Sequence, residues 1–335
     1  MLTRIEIDGF KSFLGFELDV PPFLALVGPN SSGKSNFLDA LAFVRSAMLA
    51  DDPELWPSEV KHWHFHVPDP AAMRRPASAL DRRPLTEDAG NLAAVLGRMS
   101  RAGGLDDLLV DLAALVPDVT GVRPVFDERS EEWSFDLLID HEPVPCRLAS
   151  DGTLRVLALL AALYDRASSG LLMVEEIENG LHPSRLGALL QTIAQRAGVV
   201  GDSWRQVILT THSPVAVSSL YQAAPDALVF LEPVSRAGGG RPRSRVSVAK
   251  PMRQAGEPGT FVSPRQGPYP SEHGGAGAMS RPRPLGLITD QYGSCRMTKG
   301  DARGVAAGGP AGPLLPAYAE WVDATSKALR SHGFL

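Results

Sequence analysis

Residues 28–35, GPNSSGKS, constrain this chain more than any other stretch. They match the pattern GxxxxGK[ST]. The continuously apolar PFLALVG at 22–28 runs into them, and NFLDALAFVRSAML follows, with Phe37, Leu41, Val44 and Met48 at spacings of three to four. A strand, a glycine-bracketed loop and a helix in that order form the setting in which this pattern wraps phosphate. Gly28 and Gly33 permit the tight turn. The backbone N–H groups of Asn30, Ser31, Ser32, Gly33, Lys34 and Ser35 can surround a β-phosphate at the positive end of the helix. Lys34 would neutralise charge on the β- and γ-phosphates, and the Ser35 hydroxyl would ligate Mg²⁺. The loop therefore predicts ATP and Mg²⁺ as cofactors.

The surrounding pattern predicts an α/β core. Leu2 to Asp8 alternates as an edge or half-buried strand, FLGFELDV suggests a second strand, and PFLALVG reads as a sheet-centre strand covered on both faces. Further along, SDGTLRVLALLAALYDR (150–166) is a helix, GLLMVEE (170–176) a buried strand ending in two acids, and 183–197 a helix opened by Pro183. RQVILTTHSP (205–214) is a strand ending in polar residues, a short helix starts near Val217, and ALVFLEPV is one more strand. Strands alternating with helices give this fold class. Residues 45–145 read as a lobe inserted into that core. Its first half is proline-rich loops, followed by helices at 91–100 and 104–117 and two strands around a charged turn at 121–140.

Charge divides the chain unevenly. Residues 1–235 carry a net −13, which argues against a broad nucleic-acid footprint there, whereas 236–316 carry +8. That basic segment holds 16 Gly and 11 Pro without a repeat, so it reads as loop-rich or disordered, and 317–335 as one short amphipathic helix. The N-terminus lacks a long apolar h-region, and the apolar run at 154–164 is too short to span a bilayer. The two cysteines make no disulfide framework. A cytoplasmic protein with no membrane partner is the expectation.

Three polar groups close the apolar strands. Ligands of open α/β sheets bind outside the carboxyl ends of the strands, which sets Glu175 and Glu176 beside the phosphate loop. Glu175 would hold Mg²⁺ through water, and Glu176 would polarise an attacking water. Glu178 is a third acid in the same EEIE turn. His212, in LTTHSP, would contact the γ-phosphate, hold the water or sense the third phosphate. His62, His64 and His66 alternate in WHFHVP, but no acid or cysteine completes a metal site at a convincing spacing, so the stretch reads as an exposed, partly ordered loop.

Taken together, FKSF (10–13), GPNSSGKSN (28–36), LASDGTLR (148–155), LLMVEEIENGLHP (171–183) and TTHSP (210–214) resemble the ABC-type ATPase heads of the SMC and RecF class. More narrowly they resemble AAA-family ATPases related to the OLD-nuclease head, many of them from bacterial defence systems. The resemblance covers residues 1 to about 235. It implies a P-loop head in which Gly28 and Asn36 count with Asn30 to Ser35 among the cofactor-binding residues. By the same resemblance Ser150, Asp151 and Gly152 would contact the γ-phosphate held by an opposite subunit, while Asn179 and Leu181 would touch the partner site. A plain helix cap at Ser150 or Asp151 is equally compatible. The implied behaviour is an ATP-dependent homodimer that hydrolyses ATP as a switch or motor and acts on DNA or an effector protein in DNA repair or anti-phage defence.

The pattern departs from that family in three ways. Glu175 stands where the Mg²⁺ acid is usually Asp. No glutamine precedes Gln191, so the family's Q-loop glutamine is missing, with Asn91 or a water as substitutes. No long coiled coil is present. A nuclease domain after 235 would need acidic ligands, and GLITD, ending in Asp290, is the one candidate strand. The first two departures keep open a non-hydrolysing ATP sensor as the alternative.

Overall fold

A computed structural model of the chain describes residues 1–50, 58–168, 170–200, 203–236, 244–252, 285–289 and 295–299. In chain order the elements are β1 (Leu2–Ile7), β2 (Phe16–Asp19), β3 (Phe23–Val27), α1 (Lys34–Ala50), β4 (Trp63–His66), α2 (Pro70–Met73), β5 (Ala77–Ser78), α3 (Leu92–Arg101), α4 (Asp106–Leu115), β6 (Val119–Asp127), β7 (Glu132–Ile139) and β8 (Glu142–Pro145). Then come α5 (Asp151–Tyr164), β9 (Gly170–Val174), α6 (Pro183–Arg196), β10 (Gly198–Val200), β11 (Ser203–Thr211), α7 (Pro214–Ala223), β12 (Leu228–Arg236), β13 (Ser244–Pro251), β14 (Leu285–Thr289) and β15 (Cys295–Lys299).

The main sheet has the order β13-β12-β3-β11-β9-β4, with β10 pairing β11 off that path. β12, β3, β11, β9 and β4 are parallel, while β13 closes one edge antiparallel to β12. The apolar strands are apolar because both faces are covered. Phe23, Ala25 and Val27 of β3, with Leu172 and Val174 of β9, face a core built on α3–α7. Leu24 and Leu26, with Leu171 and Met173, face a second core filled by Phe37, Leu41 and Val44 of α1 and by Ile5, Ile7, Phe16 and Leu18 of β1 and β2. A smaller sheet, β15-β14-β1-β2, lies on that second side.

The separate antiparallel sheet of the lobe is β5-β7-β6, with β8 on β7. α3 and α4 pack against it, and Arg98 fastens it to the core through an ion pair with Asp165 at 2.6 Å. Behind that pair the buried Arg205 donates to the carbonyls of Ala162, Ser168 and Asp165 at 2.6, 2.5 and 3.1 Å. Burial pulls its guanidinium down to about 10.

Two expectations change here. The WHFH stretch is a strand of the main sheet: β4 sets Trp63 opposite Leu171 and His66 opposite Val174, with Trp63 and His66 each only 1% exposed. Four residues held between a short 3₁₀ turn and Pro68 are too few to show a strand period. The open edge of β9 nevertheless needs a backbone partner, and β4 supplies it. β4 therefore belongs to the core even though it falls within 45–145, and α1 likewise continues to Ala50. The Gly/Pro-rich segment, in turn, supplies β13, β14 and β15. Its glycine-free run SRVSVAKP pairs with β12 from Arg236↔Ser244 to Val229↔Pro251, and β14 adds to β1 in parallel. Composition averaged over the segment hid these short runs. The helix expected at 317–335 and Asp290 lie outside the described residues.

Candidate nucleotide-binding site

Parallel register brings the strand ends together. Val27 of β3 is opposite Thr211 of β11, and Leu209 is opposite Val174 of β9, so the loops that follow all three strands emerge on one side of the sheet. The loop after β3 makes its turn with Ser31 (φ 65°) and Gly33 (φ 106°) in the left-handed region. Gly28 is required for a different reason. A Cβ there would sit 2.5 Å from the Ser32 hydroxyl and 2.7 Å from the Leu231 carbonyl.

Lys34 opens α1 and is only 7% exposed. Its ammonium rests on the carbonyls of Gly28 at 2.7 Å and Pro29 at 3.1 Å. Burial pulls its pKa below the ordinary lysine value, opposed by the charges of Glu178, Glu176 and Glu175. The neighbouring Ser35 hydroxyl donates to Glu175 Oε1 at 2.5 Å, joining the phosphate loop to the end of β9. Asn36 turns the other way and donates to Ser12 Oγ at 2.9 Å. Asn30 and Ser31 are exposed, whereas Ser32 is fully buried.

Glu176 holds a left-handed backbone (φ 47°), which is costly for a residue with a long side chain. Two bonds hold it there. Its N–H donates to Thr210 Oγ1 at 2.9 Å, and its Oε2 accepts from Asn179 Nδ2 at 2.8 Å. The turn carries Glu178 back toward β11, where Oε1 accepts the His212 backbone N–H at 2.7 Å. His212 Nδ1 also lies 2.7 Å from that oxygen, an ion-pair distance at which the ring is not aligned to donate. Glu178 Oε2 is buried without a partner.

The structure thus brings Lys34, Ser35, Glu175, Glu176 and His212 to one edge of the sheet. Ser150, Asp151 and Gly152 start α5, and no hydrogen bond or ion pair among the described residues joins them to 28–36. Ser150 caps α5 by accepting the Thr153 N–H at 3.2 Å. Asp151 pairs with Arg74 at 2.6 Å, and Arg74 also donates to the Ala149 carbonyl at 2.8 Å. Gly152 abuts the loop after β9, since a Cβ there would lie 2.8 Å from the Gly180 carbonyl. Asn91 is committed inside the lobe, where it accepts from the Thr86 N–H at 2.9 Å and donates to the Pro84 carbonyl at 3.0 Å, so it does not serve as a substitute for the missing glutamine.

Oxygen donors fit a hard cation. Ser35 and Glu175 together supply a hydroxyl and a carboxylate, and Mg²⁺ takes its remaining ligands from phosphate and water. Among the described residues no group of three or more His, Cys, Asp or Glu is arranged to hold a metal by itself. His64 and His66 stack at 6.4 Å on β4, His62 ends the preceding turn, and burial pushes both strand histidines down to about 4.

Sequence reasoning missed Thr210 as the support of Glu176 and Arg74 as the partner of Asp151, and it gave Glu178 no role. For Glu178 no local signal was available, because its tie to His212 depends on the left-handed backbone at Glu176, which the sequence alone does not show.

Known proteins bear on this geometry. The head of an SMC protein, solved bound to the C-terminal winged-helix domain of ScpA, superposes with a TM-score of 0.50 at 16% identity, over 73% of this chain and 97% of that one. That likeness shows the fold, a mixed α/β arrangement of sheets and helices like that of an SMC head. The chromosome partition protein Smc of Methanocaldococcus jannaschii is 57% identical over 44 residues, 13% of this chain and 4% of its own length. Structural maintenance of chromosomes protein 1 of Arabidopsis thaliana is 31% identical over 117 residues, 33% of this chain and 9% of its own. The chain spans under a tenth of the length of these relatives. A family described as "AAA domain, putative AbiEii toxin, Type IV TA system" matches over residues 23–65 and 57–218. That is more than half of the 335 residues, and the chain belongs to this AAA-domain family.

Proposed function

We propose that the chain binds Mg-ATP at residues 28–36 and hydrolyses it at a site completed by a second copy. The observation that carries this reading is the Ser35–Glu175 contact at 2.5 Å, beside a lysine resting on loop carbonyls. Lys34 exchanges those carbonyls for β- and γ-phosphate oxygens, and the loop N–H groups bind the β-phosphate. Ser35 and Glu175 hold Mg²⁺, which when bound neutralises charge on the phosphate oxygens. Glu176 accepts a proton from the attacking water as the γ-phosphoryl group leaves for it, giving ADP and phosphate. His212 contacts that phosphate, with Glu178 fixing its backbone.

Ser150 and Gly152 at the start of α5 make the second half of the site, across a homodimer. Support comes from the capped helix start, exposed at Ser150 and Asp151 and remote in its bonding from the chain's own loop. An ATP-driven switch of this kind works on something else. The SMC head bound to ScpA favours a partner protein, and the family description favours a toxin–antitoxin setting, with an effector protein or DNA as the target. The absence of a glutamine before Gln191, with Asn91 engaged elsewhere, favours a second reading, a sensor that binds ATP without turning it over.

Calorimetric titration of the wild type and Lys34→Ala with Mg-ATP tests the first step. Saturable binding is expected for the wild type, and at least a tenfold loss (roughly 1.4 kcal/mol) for the variant. Equal affinity for both would sink the assignment of the loop.

A further inference from the structure

The phosphate loop is held from behind by a hydroxyl far away in sequence. Ser247, on β13, is 5% exposed. Its hydroxyl lies 2.7 Å from the Ser32 carbonyl, 215 residues earlier, and 2.8 Å from Ser12 Oγ, while its N–H donates to the Ser12 carbonyl at 2.7 Å. Asn36 Nδ2 donates to Ser12 Oγ at 2.9 Å. Each hydroxyl has one proton. The Ser247 hydroxyl faces two acceptors, the Ser32 carbonyl and Ser12 Oγ, and shares its one proton between them. The result is one chain of contacts in which Asn36 and Ser247 both donate to Ser12 Oγ and Ser247 also donates to the Ser32 carbonyl. It starts and ends within the phosphate-binding segment and spans the junction of loop and helix.

The fit around this chain is close. A Cβ on Gly33 would sit 2.1 Å from Ser247 Oγ and 3.0 Å from Ser12 Oγ, so β13 and the turn before β2 are packed against the loop backbone. A loop that binds phosphate through its N–H groups must turn carbonyls outward, and here the Ser32 carbonyl meets a matched donor. Its geometry is then set before ligand arrives, which lowers the ordering cost of binding.

We propose that Ser247 is a positioning residue for the phosphate loop, acting with Ser12 to hold residues 32–36 in the binding conformation. The inference rests on the nucleotide reading above for its consequence, though its geometry does not. Hydrogen exchange of residues 29–36 without nucleotide, together with Mg-ATP affinity, separates the two. For Ser247→Ala, faster exchange in that segment and roughly three- to tenfold weaker affinity are expected, with Ser247→Thr close to wild type because it keeps the hydroxyl. Unchanged exchange and affinity in Ser247→Ala, or equal losses in Ser247→Thr, would overturn the proposal. Should Ser247→Ala not fold, Ser12→Ala cuts the same chain and is read the same way. Failure of the wild type to bind ATP removes the nucleotide reading, and the exchange measurement still decides whether Ser247 braces the loop.

Discussion

Glu178 Oε1 accepts the backbone N–H of His212 at 2.7 Å, tying the turn after β9 to the turn after β11. The other carboxylate oxygen is buried and unpartnered, and the charge of Glu178 opposes the desolvation of Lys34 more than that of either neighbouring glutamate. One side chain therefore sets the position of one candidate catalytic residue and the electrostatics of another.

Removing it should affect both. Glu178→Ala leaves the His212 N–H without its acceptor and is expected to cost about 1–2 kcal/mol of stability. ATP turnover should fall at least about tenfold, since a bond to an active-site loop is lost with it. Urea midpoints and steady-state phosphate release measure the two effects. Wild-type turnover in a folded variant would show that His212 does not need this tether.

Arg74 and Asp151 form the link between the lobe and the start of α5. A bare carboxylate at that helix start would repel an approaching γ-phosphate, and Arg74 at 2.6 Å cancels its charge. The Asp151 side chain is 63% exposed, so the pair adds little to stability, under about 1 kcal/mol. Arg74→Ala should leave the thermal midpoint nearly unchanged and weaken ATP-dependent association severalfold. Arg74→Ala with Asp151→Asn should recover most of that loss. Sedimentation of the two variants and wild type with a non-hydrolysable ATP analogue provides the comparison.

The two histidines of β4, His66 buried and His64 half-buried, set an acid limit. Burial lowers His64 and His66 from 6.5 to about 4, so between those values the unfolded chain binds more protons than the folded one. Stability must then fall as pH drops through that window, each histidine contributing up to about 1.4 kcal/mol per pH unit. Denaturant midpoints taken between pH 7.5 and 5 should decline for the wild type and decline less for His66→Asn. A flat wild-type profile would show that these rings are solvated.

The parts of this site that were legible in the sequence are contiguous. The loop from Gly28 to Ser35 carries its own turn residues and flanking elements, and Glu175, Glu176 and His212 each end an apolar strand, so one rule about strand ends places them together. What escaped was long-range or short. Ser247 meets Ser32 across 215 residues and through a hydroxyl with no local signature. Arg74 resembled any surface arginine. β4 is four residues long, and its histidines suggested solvent, whereas the sheet edge buries His66 and half-buries His64.

A hydrolytic site shared between two copies can be tested by one paired measurement. Phosphate release and light-scattering mass should be followed for wild type and Glu176→Gln, with and without Mg-ATP. Turnover in the wild type, its loss in Glu176→Gln by at least about a hundredfold, and a stable ATP-dependent dimer of that variant are the expected results. A wild type that binds ATP but neither releases phosphate nor changes mass would rule out a shared hydrolytic site and leave a nucleotide sensor in its place.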